Sequence, residues 1–213
     1  MSEIIKTEIN IAKEEIKRLN QKTISDDRAF SHVLLKYYFD VNFYDQVVTD
    51  GANDGGIDFL YYDEDEDKVI VCQAKYTELL SCEDINSEFN KMHSTVENFK
   101  RANTGMYNPI LKQTLQNAID QLPEDNSGNV EYRLFTIADI NTDAIKSKID
   151  NLAPKYPLDS VIIDTITDIE QQIQKVQGTL STVSEAKISI DKAKNYLEYE
   201  SYDSRGIMCN VPS

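Results

Sequence analysis

Asp58, Gln73 and Lys75 are a carboxylate, an amide and an ammonium whose spacing lets them meet. They stand in Gly55-Gly56-Ile57-Asp58 and, after an acidic turn, in Val69-Ile70-Val71-Cys72-Gln73-Ala74-Lys75. A carboxylate and an amide oxygen are hard ligands suited to Mg²⁺ or Mn²⁺. An ion of that kind polarises a phosphate oxygen and acidifies water. A lysine beside it can orient or deprotonate that water, or offset charge on a phosphorane-like transition state. The three residue types together suit hydrolysis of a phosphodiester bond.

Two strands must bring them together. Residues 57–62 and 69–75 are rich in β-branched, aromatic and apolar types, and the polar stretch 63–68 separates them. Side chains alternate faces along a strand, so Asp58, Leu60 and Tyr62 share one face, and Val69, Val71, Gln73 and Lys75 share one. If Tyr62 pairs with Val69, Asp58 lies opposite Gln73 with Lys75 one step diagonal. A one-residue slip would turn both apolar sets the wrong way, so the register is expected to be well specified.

Asp58 followed by Gln73-x-Lys75 on the next strand resembles the catalytic core of the PD-(D/E)xK, restriction-endonuclease-like nucleases. Asn53-Asp54-Gly55-Gly56-Ile57-Asp58 and the Gln-x-Lys variant are similar to the Mrr-type branch, and still more to the nuclease-like N-terminal region of abortive phage infection (AIPR-type) proteins. The resemblance covers residues 25–76 and implies a metal-binding Asp58 and a catalytic Lys75. Gln73, an oxygen ligand or orienting group, stands where most members carry Asp or Glu, which removes one negative ligand. The resemblance also implies an α/β/α core with a mixed sheet, a DNA substrate ahead of RNA, a role in phage defence and a longer chain with a C-terminal region. A homodimer is left open.

Such nucleases often aim an acidic residue from the first helix at the same metal. Asp27 precedes Phe30 by three residues and Leu34 by seven, so it is expected on their inward stripe, behind the N-cap Ser25. Acids in a first helical turn are also favoured by the helix dipole alone, so both roles stay open. Asp54, at the mouth of the turn, is an outer candidate, and Gly55 and Gly56 would allow close approach of a phosphodiester backbone. The bland alternative is that Gly-Gly-x-Asp is a turn and that Asp58 caps it or pairs with Lys75.

The chain's 22 basic and 37 acidic residues give a net charge of −15. Nucleic-acid affinity rests on Lys and Arg neutralising phosphates, so a binding surface here is a local patch or comes from elsewhere in a longer protein. No basic run exceeds Lys100-Arg101, with Lys146, Lys148 and Lys155 scattered beyond it. This balance keeps two alternatives in view: a catalytically inactive nuclease fold that binds a protein or nucleic acid, and, ranked last, an acidic mimic of DNA. The run Asp63-Glu64-Asp65-Glu66-Asp67 lacks the glycine and distal glutamate of a calcium loop and reads as a solvated hairpin tip.

Cys72, Cys82 and Cys209 have no paired spacing, which argues against disulfides and zinc. His32 and His93 are too few for a His-based nuclease site. No apolar stretch spans a membrane and no signal-peptide pattern leads the chain, so a reducing cytoplasm is expected.

Helices are expected over 3–19, 26–39, 81–100, 110–122, 142–152 and 168–176, and strands over 42–48, 131–138 and 161–166 besides the hairpin. Residues 123–129 read as a loop and 178–184 as a linker. The expected organisation is a nuclease-like domain over 1–178 with an extra N-terminal helix, then a linker and the start of a further region over 179–213.

Overall fold

Ile5, Ile9, Ala12 and Ile16 fall at helical steps and form the buried stripe of α1 (Glu3–Asn20). Ser25 then caps α2 (Asp26–Phe39), its hydroxyl accepting from the Arg28 amide, and Asp40 ends that helix in the left-handed conformation at φ 53°. The computed structural model describes residues 2–41, 48–122, 130–183, 197–200 and 205–208. The expected strand over 42–48 therefore lies outside the described residues except for Val48, which forms an antiparallel bridge with Phe59. The loop expected over 123–129 lies outside them as well.

The hairpin forms in the expected register. Strands β1 (Phe59–Asp63) and β2 (Lys68–Lys75) are antiparallel, with Tyr62 opposite Val69 and Phe59 opposite Cys72. At its tip Asp63 Oδ1 accepts from the amides of Asp65 and Glu66, and Glu64 to Asp67 are exposed, as a solvated tip requires. Parallel neighbours need long crossovers. Helices α3 (Cys82–Lys100) and α4 (Pro109–Ile119) carry the chain from β2 to β3 (Val130–Thr136). Helix α5 (Thr142–Asp150) carries it on to β4 (Val161–Asp164). The sheet order is β1-β2-β3-β4, with β2, β3 and β4 mutually parallel.

Strand alternation divides the core in two. Leu60, Val69, Val71, Tyr132, Leu134, Val161 and Ile163 pack on the Ile85–Phe89–Met92–Val96 stripe of α3 and on Leu111 and Leu115 of α4. On the other face Phe59, Ile70, Cys72 and Phe135 pack on α1, on α2, and on Ile169 and Ile173 of α6 (Ile166–Val183). The result is an α/β/α arrangement around a mixed sheet with an extra N-terminal helix.

Several expected boundaries change: α4 ends at Ile119, β3 at Thr136 and α5 at Asp150. β4 ends at Asp164, and α6 begins two residues earlier than expected, where Asp168 Oδ2 accepts from both the amide and the hydroxyl of Thr165. The linker expected over 178–184 is helical through Val183. A single glycine costs about 1 kcal/mol inside a helix, and no proline follows it before Val183. Chain contacts divide into Met1–Val176 and Gln177–Ser213. Within the latter, β5 (Leu197–Glu200) and β6 (Arg205–Met208) pair antiparallel.

Cys72 is buried on the face opposite Gln73, as alternation predicts, and burial pushes its thiol well up; Cys82 is half-buried and Cys209 lies outside the described residues. His32 is buried, which lowers its imidazole to about 4, and His93 Nδ1 lies 2.9 Å from the Tyr132 hydroxyl. Among the described residues no helix is long and apolar enough to cross a membrane.

Candidate metal centre

The Asp58 amide donates to the Cys72 carbonyl at 2.9 Å, extending the hairpin ladder one residue below Phe59. That contact puts the Asp58 side chain over β2, on the face it shares with Leu60. There Gln73 Nε2 donates to Asp58 Oδ2 at 2.6 Å and the Ala74 amide donates to the same oxygen at 2.8 Å. Both bonds fall on Oδ2, so Oδ1 is the oxygen left for another ligand. Asp58 and Gln73 are each 6% exposed. Burial is the main cause that raises the Asp58 carboxyl from 3.8 to about 7. The Ala74 amide and the Lys75 charge oppose the rise, and the charges of Asp50 and Asp54 add to it.

Those two acids arrive on the loop before β1. The Val48–Phe59 bridge runs on into two bonds to the Asp58 carbonyl, from the Thr49 amide at 2.7 Å and the Asp50 amide at 3.2 Å. The Thr49 hydroxyl donates to the Ile57 carbonyl. Asp50 is thereby laid alongside Asp58. Asp54 folds the loop back, its Oδ1 accepting from the Gly56 amide at 2.8 Å and its Oδ2 from the Gly51 amide at 3.2 Å. Asn108, the N-cap of α4, fixes the loop from outside through its amide to the Asn53 carbonyl and its Nδ2 to the Thr49 carbonyl. One carboxylate oxygen from each of Asp50, Asp54 and Asp58 then lies within 4.8 Å of the others.

Lys75 lies on the expected face of β2, but its partner is not Asp58. Its Nζ is 3.2 Å from Glu88 Oε1, and the same oxygen is 3.0 Å from Lys91 Nζ. Glu88 and Lys91 belong to α3, and Glu88 is buried on the side of that helix that carries Ile85 and Met92. All these groups line one open cleft of about 560 Å³, together with Asp27, Ser25, Ser31, Tyr76 and Thr77.

Asp27 reaches that cleft, but not as its spacing predicts. It is exposed at the rim rather than on an inward stripe, and it is not one of the three converging acids. The reason is that α2 is packed nearly all round: Ala29 through Leu35 are all buried, so its first turn has no narrow inward phase to obey. Its neighbour Arg28 is committed to the loop, donating to the carbonyls of Asp50 at 3.0 Å and Val48 at 3.4 Å.

The glycines have close neighbours within the chain itself. A side chain on Gly55 would begin 2.8 Å from Thr95 Cγ2 and 2.9 Å from Tyr107 Cε1, and one on Gly56 3.0 Å from Lys91 Cβ. Both glycines have positive φ, +65° and +77°. They let the acidic loop close on α3 and the segment before α4, and Gly56 also lines the open cleft. Gly55→Ala should accordingly cost roughly 2–4 kcal/mol, from left-handed strain and overpacking together. Urea unfolding checks this; a loss below about 0.5 kcal/mol would mean that the loop does not bear on Thr95 as described.

Comparison with known proteins gave no matching family model, no matching curated protein and no matching solved structure. The hairpin brings Asp58, Gln73 and Lys75 together, and Asp54 joins them through its loop.

Two acids of the cleft were not singled out in the sequence, Asp50 and Glu88. Each had a signal. Asp50, Asp54 and Asp58 recur every four residues through a glycine-containing loop, and Glu88 is an acid three residues beyond Ile85 on an otherwise apolar helical stripe.

Proposed function

We propose that this chain is a metal-dependent phosphodiesterase of the PD-(D/E)xK type, cleaving nucleic acid, DNA ahead of RNA, in defence against phage. The observation that carries the reading is the convergence of Asp50, Asp54 and Asp58 within 4.8 Å, in a cleft that Lys75 of β2 also lines. The donor set fits Mg²⁺ or Mn²⁺: three carboxylates and the Gln73 amide are hard oxygen donors lining one open cleft. The charge that Gln73 lacks is supplied by Asp50 and Asp54. When bound, such an ion would polarise a phosphate oxygen and acidify the attacking water.

Each remaining role belongs to the chain's own groups. Gln73 and the Ala74 amide fix the Asp58 carboxylate by its Oδ2, leaving Oδ1 for the ion. Lys75, held by Glu88, presents its ammonium where charge gathers on the phosphoryl oxygens or on the water. Asp27, exposed on the same cleft, would meet an ion or its waters from the open side. The defence role and a longer chain rest on the resemblance alone.

One observation favours a second reading. The cleft carries Asp27, Asp50, Asp54, Asp58 and Glu88 against Lys75 and Lys91, a balance that also suits an inactive fold binding a basic protein segment. Calorimetric titration with Mn²⁺ separates the two. Wild-type chain should bind the ion, and Asp58→Asn and Asp54→Asn should each weaken it by about tenfold or more. Binding that is absent in the wild type, or untouched by both substitutions, would favour the binding module.

A further inference from the structure

We infer that Lys91 is a substrate-binding residue that takes a phosphate of the nucleic-acid strand at the mouth of the cleft; this rests on the phosphodiesterase reading above. A polyanion entering a cleft lined by five carboxylates needs local positive charge. Among the described residues that line it, the cations are Lys75 and Lys91. Arg28 stands nearby but is spent on the Val48 and Asp50 carbonyls and on the Asp50 carboxylate, 3.7 Å from its guanidinium. Lys75 is the inner of the two, with 29% of its side chain exposed, and Glu88 neutralises it. Lys91 is the outer one, 55% exposed, and it shares the same Glu88 oxygen. Two ammonium groups on one carboxylate leave one positive charge in excess, and the more exposed lysine can offer it to a ligand without uncovering Glu88.

Its placement is set by packing. Gly56 stands two residues before Asp58, and a side chain there would begin 3.0 Å from Lys91 Cβ, 3.6 Å from Lys91 Cδ and 3.7 Å from Gln73 Oε1. The stem of Lys91 therefore runs along the acidic loop, beside the amide that holds Asp58, before its ammonium turns to Glu88. A phosphate held by Lys91 is then a near neighbour of the one that meets the carboxylates. The contact is to backbone, so it should be indifferent to base sequence.

The experiment measures binding of a fluorescent 20-base-pair duplex by anisotropy over a series of salt concentrations, in Ca²⁺, with gels confirming that the duplex stays intact. Wild type, Lys91→Ala and Lys91→Arg are compared, with melting curves to show that each is folded. Lys91→Ala should bind about 5- to 10-fold more weakly on every sequence and flatten the slope of log affinity against log salt by about one. Lys91→Arg should keep the slope. Loss of a merely structural lysine would leave the slope where it was. Unchanged affinity and slope in Lys91→Ala overturn the inference, even if wild-type chain cleaves DNA in Mg²⁺. Lys91-dependent binding by a chain that never cleaves sustains the phosphate contact and overturns the hydrolytic reading instead. A folded wild-type chain that binds neither duplex nor single strand overturns both.

Discussion

Asp58→Asn is expected to reduce metal-dependent cleavage by about a thousandfold or more and, at pH 8 without metal, to make the protein more stable than wild type. The loss of activity follows from removing the central member of the three converging carboxylates. The gain in stability follows from where that carboxylate sits. Its folded-state value of about 7 lies above the ordinary 3.8, so the folded chain holds the proton more tightly than the unfolded chain does. The stabilisation from that proton is fully present below about pH 4 and is lost as pH rises through about 7. At pH 8 the fold keeps a charge that is 6% exposed and faces Asp50 and Asp54, a disadvantage on the order of 4 kcal/mol relative to acid pH.

Asparagine keeps an oxygen for the Gln73 and Ala74 donors and carries no charge. Thermal melts in EDTA should show the variant ahead of wild type at pH 8, with the gap closing by pH 4. A variant that melts lower than wild type at pH 8 would mean that the carboxylate is satisfied in the fold by something other than a metal.

Lys75→Met is expected to lower cleavage by about 10²- to 10⁴-fold while leaving both the fold and Mn²⁺ binding in place. Methionine keeps most of the apolar stem, and Glu88 still has Lys91 at 3.0 Å, so no buried carboxylate is abandoned. None of the carboxylates that would hold the ion is touched. The signature is therefore a split: calorimetry resembles wild type and turnover does not. Activity that survives the change would remove Lys75 from the chemistry. Metal binding lost together with activity would give the lysine a structural role in the acidic loop.

The hairpin was legible because its rules are local. Alternation and the polar turn fixed Tyr62 opposite Val69, and from that pairing the meeting of Asp58 with Gln73 followed. The same was true of helix starts: Ser25 caps α2, and Ser81 with Asp84 forms the capping box that opens α3. Asp27 was misjudged because its helix lies between α1 and the sheet and is buried on nearly every side, which erases the phase that periodicity reads. Glu88 depends on α3 crossing back over β2, a contact separated by 13 residues from Lys75 that no short-range pattern encodes. Asp50 reads as half of an Asp-Gly turn until the Val48–Phe59 bridge lays it beside Asp58. Gly55 and Gly56 were recognisable as a close approach, and within the chain they approach Thr95, Tyr107 and Lys91. The end of α6 lies beyond the expected start of the linker at 178 because a single glycine does not stop a helix.

Nicking of supercoiled plasmid in Mg²⁺ and in Mn²⁺, by wild type, Asp58→Asn and Lys75→Met, is the most direct test of a phosphodiesterase centre on this hairpin. Wild-type chain should convert supercoiled to open or linear DNA, EDTA should stop it, and both folded variants should leave the plasmid intact. Equal nicking by all three proteins, or none from a folded wild-type chain that binds Mn²⁺, would contradict it.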